Sequence, residues 1–253
     1  MTRILCALAV LLLAACGSAP APFTGPMVIG DTDPVRFSGR QPTSYPVRGM
    51  DASRFQTSVD WARAKAVGIE FVFLKATEGG DLADPAFKGH WRGAGRAGIR
   101  RGAYHFYYFC TAPEVQARWF IRNVRRTPGM LPPVLDMEWN PFSPTCTVRP
   151  PAAEVQRQMK VWLDMVEAHY GQRPIIYTAP DFYEDANLRS FGGYEFWLRS
   201  TARTPAEAYP GQPWRFWQYT ATGTLPNTVG GIDINAWNGT RQEWEAWLAR
   251  SAL

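Results

Sequence analysis

Lysine and histidine are scarce in this chain. Only Lys65, Lys75, Lys88 and Lys160 contribute to its 27 basic side chains, and the three histidines, His90, His105 and His169, stand far apart. Histidines so scattered have no ligand spacing, which argues against a transition-metal site. No glycine-rich phosphate loop follows a strand-like run, which argues against a nucleotide site. No Gly-x-Ser-x-Gly elbow marks an esterase-type nucleophile. Charge is also sparse, 19% of residues against 46% apolar, which excludes a disordered chain and fits a packed core. Beyond the first 15 residues no run is apolar enough to span a bilayer.

What the chain does have is arginine, 23 of them in a total of 253 residues with a net charge of +5. The densest groups, at residues 92–101 and 122–126, are interrupted by glycine and apolar residues. That spread argues against a nucleic-acid stripe and leaves two readings, an anionic polymer or surface as partner, or solvated faces. Eleven tryptophans are many for this length, and tryptophan serves either a core or a flat ligand on which to stack.

The N-terminus reads as a leader. Arg3 precedes an apolar run over residues 4–15, too short to cross a bilayer but right for a secretory signal. It ends in Leu13-Ala14-Ala15-Cys16, a pattern that looks like a bacterial lipobox, in which Cys16 is lipidated and becomes the new N-terminus, with an ordinary signal in which Cys16 is incidental as the alternative. Residues 16–46 hold six prolines with little apolar periodicity and read as a semi-extended linker. The folded part is then residues 47–253, a single domain.

Short β-rich apolar runs recur there, at residues 47–50, 70–76, 102–109, 133–137, 174–178, 195–198, 215–219 and 231–235. Amphipathic stretches at 58–67, 85–97, 113–125 and 152–170 separate the first five. Strand and helix in alternation predict a parallel sheet with crossover helices, and eight runs suit closure into an irregular (β/α) barrel with fewer helices than strands. A final helix at 241–250 is expected on the outside.

Acidic residues gather at the C-terminal ends of these runs: Asp51, Glu78, then Asp136 and Glu138, with Asp233 on the last. Residues two apart on a strand share a face, so Asp136 and Glu138 project together, and Asp51 meets Asp233 only if the sheet closes. Asp-x-Glu alone is roughly a chance event in a chain of this length. Here it follows a buried-strand pattern, where carboxylates are costly unless used or paired with arginine. Two close carboxyls resist double ionisation, so one keeps a proton, as a general acid acting on a glycosidic oxygen requires. An ion pair to arginine is the competing use. His105 reads better as a hydrogen-bonded barrel histidine than as a base.

The motifs carry a resemblance. Gly49-Met50-Asp51-Ala52-Ser53, Val59-Asp60-Trp61 and Lys75-Ala76-Thr77-Glu78-Gly79 are followed by Ala103-Tyr104-His105-Phe106 and Leu135-Asp136-Met137-Glu138. Trp217-Gln218-Tyr219 and Gly231-Ile232-Asp233 complete the series. In this order they resemble glycoside hydrolase family 25, the Chalaropsis-type lysozymes. The resemblance implies cleavage of the β-1,4 bond between N-acetylmuramic acid and N-acetylglucosamine in peptidoglycan, with retention and with help from the substrate's own acetamido group. It implies Glu138 as general acid and base, Asp136 as stabiliser of the developing charge, and Asp51 and Asp233 as flanking acids. Glu78, Tyr104, Trp139, Tyr177, Trp217 and Tyr219 are candidate sugar contacts, with core packing the alternative for the aromatic residues. Neither cofactor nor metal is expected.

Cys110 and Cys146 are the only cysteines left after processing and lipidation. Secretion places them where disulfides persist, so they are expected to pair, with two buried thiols the alternative. The whole then reads as a monomeric peptidoglycan hydrolase that remodels the wall, lipid-anchored in the bacterial envelope, on the periplasmic side. A catalytically silent peptidoglycan-binding barrel and a lytic factor aimed at other cells are the alternatives.

Overall fold

The computed structural model describes residues 28–253, so the leader and Cys16 lie outside the described residues. In chain order the elements are β1 (Gly30–Asp31), β2 (Arg48–Ala52), α1 (Trp61–Ala66), β3 (Ile69–Glu78), β4 (Leu82–Ala83), α2 (Phe87–Arg96) and β5 (Arg100–Phe106). There follow α3 (Pro113–Asn123), β6 (Val134–Met137), α4 (Ala152–Tyr170), β7 (Ile175–Thr178), α5 (Pro180–Asp185) and β8 (Glu195–Arg199). The chain ends with α6 (Pro205–Ala208), β9 (Phe216–Thr224), β10 (Ile232–Trp237) and α7 (Arg241–Ser251). Helices α2 and α4 give way to Gly98 and Gly171, whose φ angles of 71° and 69° reverse the chain where other residues would be strained.

Eight strands close in the order β2-β3-β5-β6-β7-β8-β9-β10, with β10 returning to β2. The barrel is mixed, where the alternation of runs predicts a parallel one. Neighbours from β2 to β9 are parallel, while β10 runs antiparallel to both β9 and β2. The physical reason is the link. Residues 225–231 between β9 and β10 are too few for the crossover that a parallel neighbour needs.

Period-two alternation sorts each strand into two cores. Val47, Phe71, Phe73, Val134, Ile175, Trp197 and Phe216 fill the barrel, while Met50, Val72, Leu74, Leu135, Met137, Ile176 and Trp217 meet the outer layer. Aromatic filling requires gaps opposite. A Cβ on Gly49 would lie 2.4 Å from the Phe71 ring, so glycine there is a packing requirement. Helix α7, expected outside, instead contributes Trp244, Trp247 and Leu248 to the barrel filling. Trp244 lies 5.5 Å from Phe71 and Trp247 5.4 Å from Phe216, at the starts of β3 and β9, so the helix closes the barrel floor.

The described part of the proline-rich segment is not a free linker. Gly30 and Asp31 pair with Thr224 and Gly223 of β9. Phe37 packs edge-on against Trp217 at 4.8 Å, and Tyr45 against Trp214 at 5.8 Å. Only the four-residue α6 joins β8 to β9, so this wall has no long helix of its own and the N-terminal strap covers it. Proline removes backbone donors and periodicity, which hides such a segment in the sequence, but it does not stop isolated aromatics from anchoring.

Phe37→Ala should therefore lower the unfolding free energy by about 3 kcal/mol or more, as for a buried core phenylalanine. Urea denaturation measures this, and a loss below about 1 kcal/mol would mean that the strap does not cover the wall.

Candidate active site

At the C-terminal ends of the parallel strands, the inward-facing positions run Asp51, Lys75, Tyr104, Asp136, Tyr177, Arg199 and Gln218 around the barrel. Asp233 joins them from the beginning of β10, because an antiparallel strand starts where its neighbours end. Its backbone partner is Asp51. Glu138, two residues past Asp136 and just beyond β6, completes the ring. These groups line a cavity of about 360 Å³. It adjoins a second of about 780 Å³ through the shared residues Phe55, Lys75 and Phe106.

Asp51 is held by a connected set of hydrogen bonds. Gln218 and Asn235 donate their amide nitrogens to its Oδ2 at 2.9 and 2.8 Å. The amide oxygens of these two residues accept in turn from Tyr177 Oη at 2.9 Å and Trp197 Nε1 at 2.7 Å. Each amide thus has both ends occupied, which sets its orientation and that of the carboxyl.

All four acids of the cavity are pushed above the ordinary carboxylate range. Burial is the first cause for each. Asp51 is raised further by Asp233, and Asp136 by Glu138. Arg199 and Lys75 oppose the rise at Glu138, and Asp233 reaches about 6 with Arg199 opposing. For Glu138 the sequence predicts repulsion by Asp136 with added desolvation. In the structure burial leads, and the repulsion within the pair falls on Asp136. Coupled carboxyls in such a site titrate as a set, and the set retains protons toward neutrality. Asp136 Oδ1 is buried with no hydrogen-bond partner among the described residues.

The sequence pattern of Glycosyl hydrolases family 25 matches residues 50–228. The chain belongs to glycosyl hydrolase family 25. It is 32% identical to YegX, an uncharacterized protein of Escherichia coli O157:H7, over 98% of this chain and 94% of that protein. Lysozyme M1 of Streptomyces globisporus is 34% identical, covering 77% of this chain and 68% of that protein. Among solved structures, a family 25 glycosyl hydrolase from Bacillus anthracis superposes with a TM-score of 0.72 at 32% identity, over 80% of this chain and 93% of that one.

In this family 25 chain the structure brings together Asp51, Asp136, Glu138, Asp233, Tyr104 and Tyr177, and leaves other candidates apart. Glu78 lines the adjoining cavity. Its carboxylate pairs with Lys75 at 2.5 Å and accepts from Tyr108. Burial would raise its pKa, but the bond and charge of Lys75 win and hold it below the ordinary value. Trp139 leans on Phe182, with ring centroids 4.5 Å apart, and donates Nε1 to Asp185 at 2.9 Å, outside the cavity lining.

Trp217 and Tyr219 are not placed as sugar contacts. Both are buried on the outer face of β9 beneath the strap. The same alternation turns Gln218, between them, into the barrel, so this motif presents its amide and not its aromatic residues to the cavity. Arg199, Lys75, Gln218, Asn235 and Trp197 are the site residues that sequence reasoning missed. Strand alternation from Asp51 and Asp136 was the available signal.

His105 is a bolt in the wall. Its Nδ1 meets Thr77 Oγ1 at 2.8 Å and its Nε2 meets Gln116 Oε1 at 3.0 Å, and burial lowers its pKa to about 4. Cys110 and Cys146 form a disulfide with Cα atoms 5.8 Å apart, tying the loop after β5 to the loop after β6. Among the described residues, no group of three His, Cys, Asp or Glu side chains is arranged to hold a metal ion.

The raised pKa of Asp233 has a consequence for stability. Its folded value of about 6 lies above the 3.8 of the free carboxyl, so the fold favours the protonated form. That contribution is complete below pH 3.8 and is lost as pH rises through about 6. Asp233→Asn should therefore gain in melting temperature relative to the parent as pH goes from about 4 to about 7. A difference between variant and parent that stays constant with pH would contradict the assignment.

Proposed function

We propose that this chain is a peptidoglycan hydrolase that cleaves the β-1,4 bond between N-acetylmuramic acid and N-acetylglucosamine. Glu138 is the general acid and base. The observation that carries the reading is a half-buried Glu138, its pKa raised by burial, beside buried, inward-facing Asp136, in a cavity that adjoins a larger one. Breaking the bond requires a proton on the leaving oxygen, which Glu138 supplies as the C–O bond lengthens. Positive charge then develops at the sugar. Asp136 lines the same cavity, and its carboxyl accepts a hydrogen bond from the substrate's acetamido N–H, so that the acetamido oxygen closes on the anomeric carbon. Water opens that ring, and its proton returns to Glu138, which restores the site with configuration retained.

Asp51 and Asp233 shape the far side of the cavity, and Arg199 limits how much repulsion four acids create. Tyr104 and Tyr177 are sugar-facing walls. Retention of all four acids favours this reading over a catalytically silent binding barrel, and a lipid tether fits action on the cell's own wall better than a lytic factor released toward others. The tether is the thioether-linked lipid on Cys16, and the domain works as a monomer on the periplasmic side of the envelope.

Glu138→Gln keeps the shape and loses the proton, so turnover should fall by about 10²–10⁴ while the variant still binds purified sacculi. Asp136→Asn should be severely impaired as well. Mass analysis of released muropeptides reads both, and the reducing-end sugar separates muramidase from glucosaminidase. Near-parental release by Glu138→Gln, or lost melting temperature with activity per folded molecule intact, would leave only an ion-pair role.

Cys16→Ser should move the protein out of the membrane fraction, since acyl chains and not a spanning helix hold it there. Unchanged partitioning with an unmodified N-terminal mass would end the lipidation reading.

A further inference from the structure

The two arginine groups that are separate in the sequence come together in the fold. Between Pro85 and Leu135 the chain has nine cations and a single acid, Glu114, whereas the rest of the chain has 18 cations and 21 acids. The charge of the protein is thus concentrated in one wall. Lys88, Arg92 and Arg96 recur at four-residue spacing along the exposed side of α2, and Arg118 and Arg122 do the same on α3. Residues at that spacing share a helix face. Arg125 and Arg126, exposed in the loop after α3, help to line a cavity of about 570 Å³ with Phe87, Lys88, Trp91 and Arg92.

Among the described residues these cations have no carboxylate partners. Eight ion pairs occur among the described residues, and none includes a side chain of this wall. Two of the guanidinium groups instead lie on aromatic faces, Arg101 4.9 Å from the Trp91 ring and Arg122 5.2 Å from Trp119. Beside them Leu82 and Val115 are exposed by 37% and 39%, and Trp119 donates its indole N–H to Leu82 O at 2.9 Å. Leu82 also lines the groove that adjoins the acid cavity, so the apolar end of this wall lies next to the mouth of the site.

We propose that the α2–α3 wall docks on an anionic phospholipid bilayer. Unpaired Lys and Arg are drawn to anionic headgroups, and half-buried tryptophan with exposed Leu and Val enters the interfacial layer beneath them. A soluble polyanion would engage the cations but would leave Leu82, Val115 and Trp119 unused, which favours the bilayer. None of these side chains lines the acid cavity. Docking therefore orients the groove relative to the membrane without taking part in bond cleavage.

Hydrogen exchange on the processed full-length protein tests this. Exchange over residues 85–98 and 113–128 is compared on vesicles of phosphatidylcholine alone and on vesicles with about three parts in ten phosphatidylglycerol. Both segments should slow by about threefold or more on the anionic vesicles only, and about 0.5 M salt should remove the effect. Arg118→Glu with Arg122→Glu should abolish the slowing, Arg118→Lys with Arg122→Lys should keep it, and both pairs should hydrolyse soluble glycan at the parental rate. Equal exchange on the two vesicle types would overturn the proposal. So would slowing by soluble polyglutamate with none on vesicles, which would assign the wall to a polymeric anion. Flotation with anionic vesicles but not with neutral ones would support the wall while refuting the Cys16 tether.

Discussion

Closure of the sheet through β10 is the constraint on which this molecule depends. A seven-stranded parallel sheet would leave β2 and β9 with unpaired edges and would open the aromatic filling to water. An eighth parallel strand would need a crossover for which the short link after β9 has no room. The antiparallel return solves both problems. It also places the beginning of β10 among the ends of the other strands, so Asp233 faces Asp51 and the ring of acids becomes continuous. The floor follows from the same closure: β10 runs down to Trp237, and α7 turns back beneath the barrel with Trp244 and Trp247.

A ring of four acids, two buried and two half-buried, is electrostatically expensive, and the structure offsets that cost unevenly. Asp51 receives two amide donors whose other ends are tied to Tyr177 and Trp197, so it is the most firmly oriented member. Asp233 and Glu138 feel Arg199, whereas Asp136 has a bare oxygen. Such a partly satisfied cluster is poor design for stability alone, and carboxyls with raised pKa values gathered in one cavity are what acid–base chemistry uses. Lys75 does double service: it pairs with Glu78 and also opposes the rise at Asp136 and Glu138.

The outer layer is equally uneven. Helices α1 to α5 cover the side from β3 to β8, and on the remaining side the N-terminal strap covers β9 with Phe37 and Tyr45. Opposite in character is the α2–α3 wall, rich in unpaired cations. A barrel has one chemical mouth but a large outer surface. Here that surface is divided between a wall covered by the described N-terminal strap and a wall whose charge has no ion-pair partner among the described residues.

The sequence by itself determined the barrel class and the rough positions of its eight strands, because these rest on short-range pattern: apolar runs, glycine stops and polar residues at run ends. The pairing of Cys110 with Cys146 and the meeting of Asp51 with Asp233 were expectations that only the closed barrel decided. The sequence did not reveal the direction of the last strand, the place of the last helix or the docking of the strap, since these depend on how much of one wall its neighbours leave uncovered. Nor did it separate Gln218 from Trp217 and Tyr219. Adjacent residues of a strand point to opposite faces, and only the closed barrel decides which face is the inside. The order of causes at Glu138 was likewise a tertiary matter. Distance in sequence predicts the repulsion between Asp136 and Glu138, but the burial that outweighs it at Glu138 is set by how the other strands close around the site.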